Sequence, residues 1–106
     1  MPKASFSGLE WDEGNRRKCQ KHGVSIAEIE YVLAHAETLI TPDPKNSRSE
    51  TRFLAIGRTQ NGRYTFVVFT PRRRATGTRL RPISARFMHE REIRKYEQEI
   101  ARAQKR

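Results

Sequence analysis

The sequence predicts an α+β protein with two N-terminal helices, an antiparallel β-sheet of about four strands and a C-terminal helix. Two helix starts near the N-terminus, a hairpin signal in the middle and a helical periodicity near the end support this order. The chain has 106 residues, of which 35% are apolar, enough for one modest core. We predict a single domain over residues 1–106, with an ordered core from about residue 9 to residue 100 and a basic tail over residues 101–106.

The two helix starts rest on capping patterns. Asp12 is placed to cap a helix that runs to about Lys21, and Gly23 supplies the positive φ that ends it. Ser25 and Glu28 have the spacing of a capping box, so a second helix begins at Ser25. Its predicted apolar stripe consists of Ile29, Val32, Leu33 and Ala36.

The middle of the chain has the pattern of strands joined by short turns. Asn61 and Gly62 are the preferred centre of a type I′ hairpin turn. A basic loop is expected over residues 71–78, and Pro82 requires an edge position, a bulge or the end of a strand. The predicted strands are residues 38–41, 52–58, 64–70 and 79–84.

The last predicted element is a helix that begins near Arg86. Ile93, Tyr96 and Ile100 share one of its faces, and the other faces are charged. No apolar run is long enough to span a membrane, and residues 1–5 lack the apolar stretch of a signal peptide. We therefore expect a cytoplasmic protein with no membrane association.

Positive charge is concentrated in the second half of the chain. The formal net charge is +10, and residues 1–57 contain eight basic and eight acidic residues, whereas residues 58–106 contain fourteen basic and four acidic ones. Twelve of those fourteen are arginines, whose planar guanidinium groups bind phosphate bidentately and stack on bases. This asymmetry favours a polyanion partner. The single cysteine, Cys19, excludes an intramolecular disulfide bond.

A set of short segments distributed along the chain is typical of one protein family. These segments are Glu10-Trp11-Asp12, Asn15, Lys21-His22-Gly23-Val24-Ser25, Glu50-Thr51-Arg52-Phe53, Ala55-Ile56-Gly57, Val67-Val68-Phe69-Thr70 and Ile83-Ser84-Ala85-Arg86, with Glu90, Glu92 and Tyr96. By these segments the chain resembles the BrnT family of type II toxins over roughly residues 9–97. The resemblance implies a RelE-like ribonuclease fold, an RNA substrate whose cleavage arrests growth, and a ribbon-helix-helix antitoxin. It also implies a toxin–antitoxin heterotetramer that binds operator DNA only through the antitoxin.

RNA cleavage without a metal needs a base for the ribose 2′-OH, an acid for the leaving 5′-oxygen, and cations for the charge that develops on phosphorus. His22 is a candidate for proton transfer because imidazole titrates near neutrality. Lys21 is a candidate phosphate ligand or pKa modifier, and Glu50 is an alternative base. Equally, Glu50 fits a loop carboxylate paired with Arg48 or Arg52, so the sequence leaves the acid and the base unassigned.

Arginines are the leading candidates for stabilising the transition state. Arg79 and Arg81 alternate along a strand and so share one face of the sheet, and Arg86 follows where we expect the strand to meet the helix. We therefore expect these three guanidinium groups to converge on one phosphate, and Arg63 begins the neighbouring strand. Trp11 is a candidate for stacking on an RNA base. The predicted catalytic residues are Lys21, His22, Glu50, Arg63, Arg81 and Arg86, and the predicted RNA-binding residues are Trp11, Arg52 and Arg79.

A second interpretation is a basic module that binds RNA, or binds DNA within an antitoxin complex, and cuts neither. The sequence shows no phosphate-binding glycine loop and no set of Cys, His or carboxylate residues with the spacing of metal ligands. We predict neither a metal nor another cofactor.

Overall fold

The structure is a computed structural model that describes residues 6–104, and it describes Asn46 by its backbone alone. Two predictions fall partly or wholly outside this range, namely the lack of a signal peptide in residues 1–5 and the last two residues of the basic tail. The elements in chain order are β1 (Phe6–Leu9), α1 (Glu13–Cys19), α2 (Ile26–Ala34), β2 (Leu39–Pro42), a 3-10 turn (Pro44–Asn46), β3 (Phe53–Arg58), β4 (Tyr64–Arg74), β5 (Gly77–Phe87) and α3 (Glu90–Gln104).

The five strands form one mixed sheet in the order β1-β5-β4-β3-β2. The pairs β2–β3, β3–β4 and β4–β5 are antiparallel, whereas β1 pairs with β5 in parallel. The α+β class is therefore confirmed, but the prediction of about four antiparallel strands is wrong. It missed β1, because Phe6-Ser7-Gly8-Leu9 contains serine and glycine at its centre and has no alternation of apolar and polar residues.

Both N-terminal helices begin where the capping patterns predict. Asp12 and Asn15 form a capping box, and so do Ser25 and Glu28. Helix α1 ends at Cys19 rather than near Lys21, because the N–H of Lys21 bonds to the carbonyl of Lys18 in a tighter turn. The positive φ of Gly23 is confirmed at +90°, but it lies in the turn that joins α1 to α2.

Helix α2 buries its apolar stripe against the sheet. Ile29, Val32 and Leu33 are fully buried, as predicted. Ala36 is not part of the stripe, because the helix ends at Ala34 and His35 has an extended backbone. The core combines residues of both helices with the facing side of the sheet: Cys19, Val24, Ile29, Val32, Leu33, Ala55, Val67, Phe69, Leu80 and Ala85.

The turn between β3 and β4 differs from the predicted type I′ turn. Gly62 has a φ of +79°, but Asn61 does not have a positive φ, which type I′ requires at both central residues. The N–H of Gly62 bonds to the carbonyl of Thr59, and the N–H of Thr59 bonds to the carbonyl of Arg63. These bonds close a three-residue loop that ends in a left-handed glycine.

The hairpin of β4 and β5 is longer than predicted. The expected basic loop over residues 71–78 is wrong, because Pro71–Arg74 continue β4 and Gly77 already begins β5, which leaves only Ala75 and Thr76 as the turn. Pro82 lies beside a bulge: Phe69 pairs with Pro82 and Val68 pairs with Ser84, so Ile83 is an extra residue in β5. The bulge is one of the positions that the sequence allowed for this proline.

Strand β5 extends to Phe87, so the last helix begins at Glu90 rather than near Arg86. Helix α3 continues to Gln104, which places most of the predicted basic tail within a helix. No residue of α3 is fully buried: Ile93 and Tyr96 are half-buried and Ile100 is exposed. The helix is tethered by side-chain contacts to the sheet, including the edge-on packing of Tyr64 and Tyr96, whose ring centroids are 5.8 Å apart.

Candidate functional site

The two faces of the sheet have different coverings. Ala55, Val67 and Phe69 point toward α1 and α2 and belong to the core. Because side chains alternate along a strand, their neighbours point to the opposite side, here called the open face. The α3 helix covers one end of the open face, near Tyr64. The apolar side chains of the open face are Leu54, Ile56, Phe66 and Val68, all half-buried.

The register places arginines on the open face. Arg72 lies opposite Arg79, and Arg81 lies opposite Thr70 on the same side of the sheet. The prediction that Arg79 and Arg81 share a face is therefore confirmed. The bulge at Ile83 then shifts the alternation by one residue, which brings Arg86, opposite Phe66, to the open face as well. Without that extra residue, Arg86 would point toward the helices.

Two of these arginines are held by carboxylates from outside the sheet. An Nη2–Oδ2 distance of 2.8 Å joins Arg81 to Asp12, the N-cap of α1. Both terminal nitrogens of Arg86 donate hydrogen bonds to the carboxylate of Glu92 in α3, with N–O distances of 2.9 and 2.8 Å. Arg81 and Arg86 bind different carboxylates in this structure. The convergence of Arg79, Arg81 and Arg86 on one phosphate therefore stays a prediction.

These ion pairs change the acidity of the carboxylates. The hydrogen bond from Arg86, followed by that from the backbone N–H of His89, lowers the pKa of Glu92 to about 2. The backbone N–H of Asn15 and then the Arg81 guanidinium lower the pKa of Asp12. Both carboxylates are therefore charged at neutral pH and available as permanent partners of the arginines.

Glu50, Arg52 and Arg72 form a second group on the open face, here called the Glu50 cluster. The Glu50 carboxylate lies 3.2 Å from Nη2 of Arg72 and 3.8 Å from Nη2 of Arg52. A hydrogen bond of 2.8 Å from the hydroxyl of Thr70 to the carbonyl of Thr51 fixes this segment to β4. The structure thus brings two predicted residues, Glu50 and Arg52, together with an arginine that the sequence placed in a loop.

Trp11 and Arg79 line a shallow hollow of about 630 Å³ with Arg16 and Arg74. The Trp11 ring is half-buried, its Nε1–H donates to Glu30 at 3.2 Å, and the guanidinium carbon of Arg16 lies 5.8 Å from the ring centroid. Arg79 donates to the carbonyl of Leu9 at 2.8 Å. An aromatic ring beside guanidinium groups is a surface on which an unstacked base can lie.

The remaining candidates lie elsewhere. The guanidinium of Arg63 stacks on Phe87, 3.6 Å from its ring centroid, and Phe87 packs against the core on the helix side of the sheet. Lys21 and His22 are exposed in the turn that joins α1 to α2. The structure therefore places Arg63, Lys21 and His22 apart from the Glu50 cluster. Their roles in catalysis stay predictions.

The sequence missed Arg72 and Arg74 as site residues, because the run Arg72-Arg73-Arg74 was interpreted as a loop. Arg74 forms a bidentate pair with Glu10, one contact of which measures 2.9 Å. That hydrogen bond lowers the pKa of Glu10. The signal that identifies these residues is alternation, since Thr70, Arg72 and Arg74 continue the outward-facing positions of β4.

Within residues 6–104, none of the helices is long and apolar enough to cross a membrane. In the same residues, no group of three or more His, Cys, Asp or Glu side chains is arranged to hold a metal ion.

A sheet face rich in arginine, next to a hollow with an aromatic wall, is typical of proteins that bind polyanions. A family model described as the ribonuclease toxin, BrnT, of type II toxin-antitoxin systems matches residues 11–92. The chain therefore belongs to the BrnT family of ribonuclease toxins, which confirms the resemblance and implies a protein antitoxin as partner. No curated protein sequence matches the chain.

Proposed function

We propose that this chain is an endoribonuclease that cleaves RNA without a metal ion and binds its substrate on the open face of the sheet. The observation that carries the proposal is the alignment of Arg72, Arg79, Arg81 and Arg86 on that face, in a member of a ribonuclease toxin family. Guanidinium groups bind phosphate bidentately and remain charged at every physiological pH.

Cleavage by this route transfers one proton at each end of the reaction. A base removes the proton of the ribose 2′-OH, the 2′-oxygen bonds to phosphorus, and the bond from phosphorus to the 5′-oxygen breaks as an acid protonates that oxygen. The products are a 2′,3′-cyclic phosphate and a free 5′-hydroxyl. Negative charge grows on the phosphoryl oxygens in the transition state, where positioned cations lower the barrier.

We assign the stabilisation of that charge to Arg81 and Arg86, with Arg52 and Arg79 binding the RNA backbone and Trp11 stacking on a base. Glu50 is the candidate base that lies on the open face. His22, with Lys21 beside it, is the alternative proton-transfer group on the exposed turn between α1 and α2. Arg63 is the weakest of the predicted catalytic residues, because its guanidinium lies over Phe87 on the helix side.

We further propose a ribbon-helix-helix antitoxin as the protein partner, a heterotetramer of toxin and antitoxin, operator DNA bound only through the antitoxin, and a cytoplasmic location. The RelE-like fold and the single domain that we predict for the chain belong to this proposal. The charge of +10 supports the antitoxin contact, since an acidic antitoxin segment laid across the open face would compete with RNA by charge complementarity.

The experiment incubates purified protein with total RNA in excess EDTA and follows RNA length on a denaturing gel. Arg81→Ala tests the stabilisation of transition-state charge, and His22→Ala tests proton transfer. Arg17→Ala is the control, because Arg17 is exposed and pairs with Glu13 one helical turn away. All variants are first shown by circular dichroism to be folded.

Cleavage in EDTA that falls at least tenfold in Arg81→Ala, and not in Arg17→Ala, supports the proposal. A fall in His22→Ala assigns proton transfer to the turn between α1 and α2, and an unchanged rate assigns it elsewhere, with Glu50 next to be tested. RNA that stays intact while it is bound in a salt-sensitive manner refutes the free nuclease and favours the non-cutting module.

A further inference from the structure

We propose that Arg52, Arg72 and Arg79 form a subsite for a non-scissile backbone phosphate of RNA, next to the site where Arg81 and Arg86 act. The inference rests on the proposed function and adds Arg72, to which neither the sequence nor the family assigns a role. It follows from three observations: unpaired guanidinium nitrogens, a like-charge pair in the register, and a carboxylate that spans two of the arginines.

The first observation concerns the Nε atoms. The Nε–H groups of Arg52, Arg72 and Arg79 are shielded from solvent, and none has an acceptor among residues 6–104. Each of the three guanidinium groups nevertheless uses its Nη2 atom, toward Glu50 for the first two and toward the carbonyl of Leu9 for the third. Buried donors without acceptors destabilise a fold, and a ligand toward which these guanidinium groups turn would supply the missing oxygens.

The second observation is the pairing of Arg72 with Arg79. They lie directly opposite each other on adjacent strands, where like charges repel and lower stability. An anion bound between them would convert that repulsion into attraction for both. A phosphate group is the anion best matched to guanidinium, because its oxygens can accept from two nitrogens of the same side chain at once.

The third observation is the position of Glu50. Its single negative charge lies between Arg52 and Arg72, and Arg79 lies opposite Arg72, so these four residues have a formal net charge of +2. The side chains are half-shielded, with 26% of Arg52 and 36% of Arg72 exposed, so their attraction for an anion is screened less than at the free surface. Glu50 thus holds Arg52 and Arg72 at the surface without neutralising the group.

The position of the Glu50 cluster determines which part of an RNA strand it would contact. Arg79 lies opposite Arg72 of the cluster and also lines the hollow beside Trp11, and Arg81 is two residues further along β5. Alternate residues on a strand are about 7 Å apart, which is close to the spacing of successive phosphates in an extended RNA strand. One RNA strand can therefore place a phosphate at the subsite while its neighbour lies at Arg81.

The test measures binding of a fluorescein-labelled 2′-O-methyl RNA 12-mer of mixed sequence, which cannot be cleaved because its 2′-oxygens carry no proton. Fluorescence anisotropy gives the Kd of the full chain from 50 to 300 mM NaCl. The variants are Arg72→Gln, Arg72→Lys and, as matched control, Arg73→Gln, which removes the same charge from the exposed next residue of β4.

We expect Arg72→Gln to weaken binding about tenfold and to reduce the slope of log K against log salt by about 0.7. Arg72→Lys keeps the charge but loses the Nε donor, so its slope stays at the wild-type value while its affinity falls several-fold. Arg73→Gln should change the Kd less than twofold. Equal losses in Arg72→Gln and Arg73→Gln, or wild-type affinity in Arg72→Lys, would overturn the subsite.

The binding result is separable from the cleavage result. Failure of wild-type protein to cut total RNA refutes the proposed nuclease, yet the 12-mer still reports whether Arg72 binds a phosphate. Conversely, wild-type cleavage together with equal binding by the two glutamine variants refutes the subsite alone.

Discussion

Neutralising Glu92 should loosen α3 and increase the affinity of the open face for RNA. This carboxylate holds Arg86 through two hydrogen bonds and accepts a third, of 2.8 Å, from the backbone N–H of His89, just before the helix begins. Glutamine keeps the length of the side chain and can still accept from His89, as glutamine does in capping boxes. Glu92→Gln therefore removes mainly the charge.

The magnitude follows from the pKa of Glu92. Its lowering from 4.5 to about 2 corresponds to about 3 kcal/mol if all of it reflects the folded state. The pair is partly exposed, 31% for Glu92 and 40% for Arg86, and screening at that exposure reduces the expected loss to about 1–2 kcal/mol. Because no residue of α3 is fully buried, few other contacts compensate.

The pH dependence has a definite sign. The pKa is lower in the folded state than in the unfolded chain, so the stabilisation is complete above about pH 5 and is lost as the pH falls toward 2. Urea unfolding followed by circular dichroism at 222 nm at pH 7, 5, 4 and 3 measures it. The difference between wild type and Glu92→Gln should fall by more than half between pH 5 and pH 3.

Glu99→Gln is the control, since it removes the same charge from an exposed position of the same helix. An equal loss in both variants, or a loss in Glu92→Gln that does not vary with pH, would refute the reasoning. RNA binding gives an independent readout. With its carboxylate partner gone, Arg86 should bind the 2′-O-methyl 12-mer more tightly, whereas a purely structural role for the pair predicts unchanged or weaker binding.

Three further predictions concern the scaffold. Gly57→Ala should destabilise the fold by about 1–3 kcal/mol, because its Cβ would lie 2.5 Å from the hydroxyl of Thr38. Urea unfolding should show that the loss shrinks in the background of Thr38→Ala. Asn15→Ala should cost about 2–3 kcal/mol in unfolding free energy, since the buried amide donates to two backbone carbonyls and completes the cap of α1, and Asn15→Asp should rescue only the cap. Burial raises the pKa of Cys19 to about 11, so its reaction with Ellman's reagent at pH 8 should be slow in the folded protein and at least a hundredfold faster in urea.

Local patterns predicted most of the fold. The N-cap residue Asp12 and the capping box of Ser25 and Glu28 located the starts of α1 and α2, because a cap is satisfied by residues a few positions apart. Strand β1 could not be found in this way, since its partner is β5, about seventy residues later. The end of β4 was missed for a related reason: Arg72, Arg73 and Arg74 have no apolar pattern, and they are extended because β5 pairs with them.

The candidate site was predictable to the extent that alternation along a strand predicts it. The shared face of Arg79 and Arg81 follows from their spacing alone. The presence of Arg86 on that face depends on a bulge, and Pro82 signalled only that some irregularity was possible. The pairing of Glu50 with Arg52 was one of the alternatives that the sequence offered. The more distant carboxylate partners could not be predicted from local patterns, because Glu10 and Arg74, for example, are separated by 64 residues and are joined only when β1 docks beside β5.

The carboxylate partners hold the arginine side chains of the open face in place, yet the face keeps a positive charge. Each of four arginines has a partner from another element or loop, so its guanidinium is held in place before any ligand arrives. Prior ordering lowers the entropy lost on binding, but it also means that RNA phosphates must compete with carboxylates for the same donors. Arg52 and Arg72 share the single carboxylate of Glu50, and Arg79 donates to a backbone carbonyl, which is why a phosphate should bind there before it displaces Glu92 or Asp12. The four pairs are Arg72 with Glu50, Arg74 with Glu10, Arg81 with Asp12, and Arg86 with Glu92.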